Sequence, residues 1–201
     1  MANALEWADL ELIRILGEGQ AGKVWLAKLK RQYKELSLGA RVAVKCYKSW
    51  VLEEPGQLER IIRELEIGRK VKHPNLVNTL SLIRDNEGNP ALVMNYYDGE
   101  TLESYLQKLR RRHKFVKPDL AFKIIGSLAS VLYALHQAGA IHRDVKPANI
   151  ILSGDVPVLM DLGVISSKEF PEQGLVQLQK DSPELFDKWA GTSIPTVSGS
   201  N

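Results

Sequence analysis

The stretch AIHRDVKPANIIL, residues 140–152, constrains the fold of this chain more than any other. It brings His142, Arg143, Asp144, Lys146 and Asn149 together with apolar residues on both sides. Burying charges without partners is expensive, so such a run is a loop between buried strands, a site whose partner arrives from outside, or both.

The rest of the chain supplies enough apolar material to build around that loop. Its 201 residues are 44% hydrophobic and 25% charged, which suits one domain or two small lobes with a real core. A net charge of +3 and a pI near 8.9 are too mild to call for nucleic acid or an anionic membrane as partner. The single cysteine, Cys46, excludes an internal disulfide and fits a reducing cytoplasm. The N-terminal MANALEWADLEL carries acids and no long apolar run, so no signal peptide of the usual form is expected. Nor does any stretch read as a membrane span.

Texture divides the chain near residue 97. Before it, short apolar and β-branched runs punctuated by glycine predict strands at LELIRILGEG, GKVWLAKLK, RVAVKCYK, NLVNTLSLIRD and NPALVMNYY. One amphipathic helix interrupts them, QLERIIRELEIGRKVK, with Leu58, Ile61, Ile62 and Leu65 at helical spacing and His73-Pro74 as its expected end. After Asp98-Gly99 helices take over: TLESYLQKLRRRHK, then a longer one from Pro118 to a stop at Gly139. VPVLMDLGV predicts one more short strand, and beyond Gly163 a long loop and irregular tail are expected.

GEGQAGKV, residues 17–24, raises the question of phosphate. As Gly17-x-x-x-x-Gly22-Lys23 it approaches a Walker A loop, but Val24 stands where that motif needs Ser or Thr, and a strand follows rather than a helix. As Gly17-x-Gly19-x-x-Gly22-x-Val24 between two strands it is a glycine-rich lid whose backbone approaches phosphates because no Cβ intervenes. In VAVK, strand alternation sends Val42 and Val44 to one face and Ala43 and Lys45 to the other. A lysine on an interior face needs an anion, and Glu64 on the amphipathic helix is the natural partner. By themselves, a solvated lysine and a solvated glutamate explain these two residues equally well.

Together with HRDVKPAN and the DLG of residues 161–163, these motifs resemble the eukaryotic-like protein kinase family from about Leu10 to Gly163, and Lys146-Pro147 is similar to its serine/threonine branch. The resemblance implies an α+β, bilobal protein-kinase-like fold. Residues 1–97 would be the antiparallel-sheet N-lobe, 98–165 a partial helical C-lobe, and 166–201 an activation-segment-like loop and tail. It implies ATP and Mg2+ as cofactors and a protein Ser or Thr hydroxyl as acceptor. Asp144 would orient the hydroxyl and take its proton, and Lys146 would steady the γ-phosphate. Asn149 and Asp161 would ligate magnesium, and Lys45, fixed by Glu64, would hold the α/β-phosphates. Gly17, Glu18, Gly19 and Gly22 would cover those phosphates. Val24 and Ala43 would sandwich adenine, with Met94 as gatekeeper and Asn95 to Tyr97 as hinge. Ile150, Ile151 and Leu152 would form the short strand that rigidifies the catalytic loop.

The resemblance implies more helices than the chain supplies after the D-x-G. SPEL at 182–185 and Gly191-Thr192 do not stand in the family's order, and truncation or departure from the fold is expected. A noncatalytic nucleotide- or partner-binding module is therefore the alternative to a kinase. Two features are read as plain structure. The RRRHK run, Arg110 to Lys114, reads as the solvated end of a helix, and Cys46 points away from Lys45.

Overall fold

A computed structural model of the chain describes residues 4–53, 56–163 and 166–167. The expected activation-segment-like tail, from residue 168 onward, lies outside the described residues. Five antiparallel strands form the upper sheet: β1 (Leu10–Glu18), β2 (Gly22–Leu29), β3 (Arg41–Tyr47), β4 (Thr79–Arg84) and β5 (Pro90–Asn95). Their order in the sheet is β1-β2-β3-β5-β4. Helix α1 (Gln57–Lys70) packs on one face of this sheet.

The predicted alternation of β3 decides which core each residue joins. Val42 and Val44 are fully buried with Leu29, Ala91 and Val93 on one face, whereas Ala43 joins Ile62, Leu65, Leu82 and Met94 on the other. A sheet covered on both faces explains why β4 and β5 are buried along all but their last residue. Strand β1 lies at the edge and is mostly exposed; register shifts between Leu12 and Arg14 and between Ile15 and Gly17 bend it along β2.

Helix α1 ends at Lys70, three residues before the expected His73-Pro74 boundary, because Val71 already turns to an extended conformation while its N–H still bonds to the Ile67 carbonyl. The loop that follows fastens the upper sheet to the lower half. The Val77 N–H donates to the Leu159 carbonyl at 2.9 Å, the Leu159 N–H to the Asn75 carbonyl at 2.7 Å, and His73 Nε2 lies 3.0 Å from Ser130 Oγ.

The lower half contains β6 (Glu100–Thr101), α2 (Leu102–Arg111), α3 (Pro118–Gln137), β7 (Ala140–Ile141), β8 (Ile150–Ser153), β9 (Val156–Leu159) and β10 (Ser166–Ser167). The Thr101 hydroxyl caps α2 by accepting from the Ser104 N–H. After α3, Gly139 takes a left-handed conformation at φ 73°, the stop expected of it. Strands β6, β8 and β9 form a small sheet in which Ile150 and Leu152 are buried and Ile151 faces the cleft. The expectation that no stretch has the length of a membrane span needs correction. The 20-residue helix α3 meets that criterion by length and composition. The helix lies against β7 and β9, however, and Ile124, Val131 and Leu135 are buried there.

Candidate active site

A cleft of about 490 Å³ opens between the upper sheet and the β6–β8–β9 sheet. Leu16, Gly17, Val24, Ala43 and Lys45 line it from above, Met94 to Tyr97 from behind, and Asn149, Ile151, Met160 and Asp161 from below. A second chamber of about 500 Å³ adjoins it beneath the glycine turn, against α1, and shares Val24, Lys45, Glu64 and Asp161 with it.

Lys45 stands where the two chambers meet. Its Nζ lies 3.1 Å from both Glu64 oxygens and 2.9 Å from Asp161 Oδ1. Burial works against the ammonium's charge, but Glu64 and then Asp161 outweigh it and hold Lys45 ionised well above the ordinary lysine range. Burial likewise opposes the Asp161 carboxylate, yet the Lys45 charge and hydrogen bond keep it below the usual range. Glu64 is 2% exposed, a burial rare for glutamate unless it is paired. Its second donor is the Tyr47 hydroxyl, 2.8 Å from Oε2.

The glycines of residues 17–22 serve two different ends. The turn closes through the Gly19 N–H to the Gly22 carbonyl at 2.9 Å. A Cβ on Gly22 would sit 1.9 Å from the Cys46 carbonyl oxygen, so the close approach of β2 to β3 requires that glycine. At Gly17 and Gly19 a Cβ would meet nothing within 4 Å, so protein packing leaves room over those two positions. Glu18 faces neither chamber and pairs with Lys23 across the hairpin at 3.7 Å.

The opening polar stretch resolves into a self-bonded loop. His142, 1% exposed, sets Nε2 3.2 Å from the Met160 carbonyl and accepts the Asp144 N–H at Nδ1. Asn149 donates its amide to both the carbonyl and Oδ2 of Asp144 at 2.9 Å, which leaves its amide oxygen toward other partners. Lys146 reaches Asp144 Oδ2 at 2.7 Å; that hydrogen bond, aided by Asn149, lowers the Asp144 pKa. Arg143 and Asp161 hold positive φ of 65° and 55°, a strained backbone for side chains of their size that the surrounding bonds maintain. Leu162 is fully buried, so leucine packs in the core at the middle of the DLG.

Most of the residues expected at the site therefore converge: Lys45, Glu64 and Asp161 in one ion cluster, Asp144, Lys146 and Asn149 in another beside it, and Gly17, Val24, Ala43, Met94, Asn95 and Tyr97 along the cleft. Sequence reasoning missed Leu16, Ile151 and Met160 in the lining, and Tyr47. Alternation carried a signal for Tyr47, which follows Lys45 by two. Cys46 packs with the opposite core, as expected, and burial pushes its thiol up to about 12.

The two-lobed frame thus holds a glycine-roofed cleft with the Lys45–Glu64 ion pair at its back and the carboxylates of Asp144 and Asp161 below it. Residues 10–182 match the family model described as protein kinase domain, and the chain belongs to that family. It is 32% identical over 165 residues to serine/threonine-protein kinase PkaA of Streptomyces coelicolor, covering 78% of this chain and 30% of that protein. With serine/threonine-protein kinase PknB of Mycolicibacterium smegmatis the identity is 35% over 158 residues, 77% of this chain and 24% of the relative. With CBL-interacting serine/threonine-protein kinase 16 of Arabidopsis thaliana it is 32% over 181 residues, 89% of this chain and 36% of the relative. The chain thus spans 24% to 36% of the length of these three relatives.

Proposed function

We propose that the chain binds Mg-ATP in the cleft and transfers the γ-phosphoryl group to a serine or threonine hydroxyl of a protein substrate. The observation that carries this reading is the meeting of Lys45, Glu64 and Asp161, residues far apart in sequence, directly under the glycine turn. The residues fit the ligand. Gly17 and Gly19 leave room for phosphates, Val24, Ala43 and Met94 offer apolar surface for a base, and Asn149 and Asp161 offer the two oxygens that magnesium needs beside phosphate and water. Mg2+ held by Asn149 and Asp161 would supply charge neutralisation for the phosphates.

The protein groups supply the rest. Lys45 holds phosphate oxygens, and Glu64 keeps its ammonium aimed at the cleft. Asp144, ionised and tied to Lys146 and Asn149, orients the attacking hydroxyl and accepts its proton. Lys146 offsets charge at the transferring group. Phosphate transfer from radiolabelled ATP to a protein acceptor, with and without Mg2+, tests the reading. Transfer that requires the metal and is lost in Lys45→Met supports it, and calorimetry showing no Mg-ATP binding by folded wild-type protein overturns it.

A further inference from the structure

One ammonium, that of Lys45, faces two carboxylates, Glu64 and Asp161. Glu64 is the buried one, and a buried carboxylate left short of donors is strongly destabilising. Under the reading above, Lys45 turns some of its donors to phosphate, so Glu64 needs a partner that stays. Tyr47 has the geometry for it. Its hydroxyl lies 2.8 Å from Glu64 Oε2, its ring is 6% exposed, and Lys45 Nζ stands 5.2 Å from the ring centroid. Burial, then the Glu64 charge, keep the phenol protonated and therefore a donor throughout the physiological range. Tyr47 lines the chamber beside α1 and not the cleft assigned to the nucleotide.

We propose that Tyr47 is a positioning residue, whose hydroxyl anchors Glu64 and through it aims Lys45 at the phosphates. The inference rests on the nucleotide reading of the cleft. Tyr47→Phe keeps the ring and removes only the donor. The expected result is a rise of about 3- to 10-fold in the dissociation constant of a fluorescent ATP analogue with Mg2+, a share of the stabilisation usual for a hydrogen bond to a charged group. In a Glu64→Gln background the same substitution should change affinity less than about 2-fold, because the route through the carboxylate is already lost. In steady state the ATP KM should rise while the KM for the protein acceptor holds. In nucleotide-free protein the Glu64 carboxyl carbon resonance should shift in Tyr47→Phe. Unchanged affinity in Tyr47→Phe, or an equal loss in both backgrounds, overturns the positioning role while leaving the nucleotide reading intact. Failure of the wild type to bind the analogue overturns the cleft reading itself.

Discussion

At the scale of single residues, the two ion clusters divide the work, and substitutions should separate them. Asp144→Asn removes the carboxylate proposed as proton acceptor without touching the Lys45 cluster. Turnover should fall by roughly 10²–10⁴-fold, with Mg-ATP affinity nearly unchanged. Asp161→Asn removes the charge of the carboxylate proposed for the metal, which is also one of the two ion partners of Lys45, so binding should lose its dependence on Mg2+. Calorimetry with and without the metal, beside initial rates, measures both, and equal turnover of wild type and Asp144→Asn removes Asp144 from the mechanism. Lys45 and Glu64 were legible because β3 alternates and α1 is amphipathic, so each could be placed on a face. The Lys45–Asp161 contact spans 116 positions and leaves no local trace; only the family resemblance brought those residues together. Tyr47 was missed for another reason: an aromatic residue on a buried strand is accounted for as core, and nothing in the pattern says that its hydroxyl meets a carboxylate.

At the scale of elements, α1 must lie close to the sheet for Glu64 to reach Lys45, and Gly68 sets that approach. A Cβ there would stand 2.6 Å from the Thr79 side chain, whose hydroxyl donates to the Leu65 carbonyl at 2.6 Å. Thr79 is buried and has little room to yield. Alanine gains about 1 kcal/mol over glycine in a helix interior, but overpacking a close contact costs about 1–3 kcal/mol, so Gly68→Ala should destabilise and loosen α1. Gly126 of α3 has nothing within 4 Å of a new Cβ. Gly126→Ala should therefore stabilise by about 0.5–1 kcal/mol. Urea unfolding of both variants checks the pair, and a gain in Gly68→Ala would mean that the α1–β4 contact has slack. The strands of the upper sheet were readable from short apolar runs and turns, though not the place of β4 at its far edge beyond β5, whereas the end of α1 was misplaced by three residues because a proline marks the last permitted position of a helix, not its actual end.

At the scale of the whole molecule, several ion pairs within and between elements depend on ionised carboxylates. Asp9 is held below its ordinary pKa by hydrogen bonding to Arg31, Glu100 by Lys108, and Asp144 by Lys146. At Asp161 burial acts the other way and Lys45 overrides it, and this pair joins the upper sheet to the lower half. A carboxylate whose folded pKa is depressed adds stability above its unfolded pKa, near 4, and that stability is lost as pH falls through the folded value. Lys45, raised in the fold, acts oppositely: its contribution is full below the unfolded lysine pKa, near 10.4, and is lost as pH rises through the folded one. Unfolding free energy from urea titrations should therefore form a plateau from about pH 6 to 8, decline above it as the Cys46 thiol held protonated by burial ionises on unfolding, and fall steeply below about pH 4. Asp161→Asn isolates the pair between the two halves. Its deficit against wild type should be greatest on the plateau and shrink as pH falls below about 4 and through the lowered folded value of Asp161. A deficit that stays constant from pH 7 to pH 3 would mean that Asp161 acts through its shape and not its charge, and that the Lys45 ion pair does not hold the two halves together.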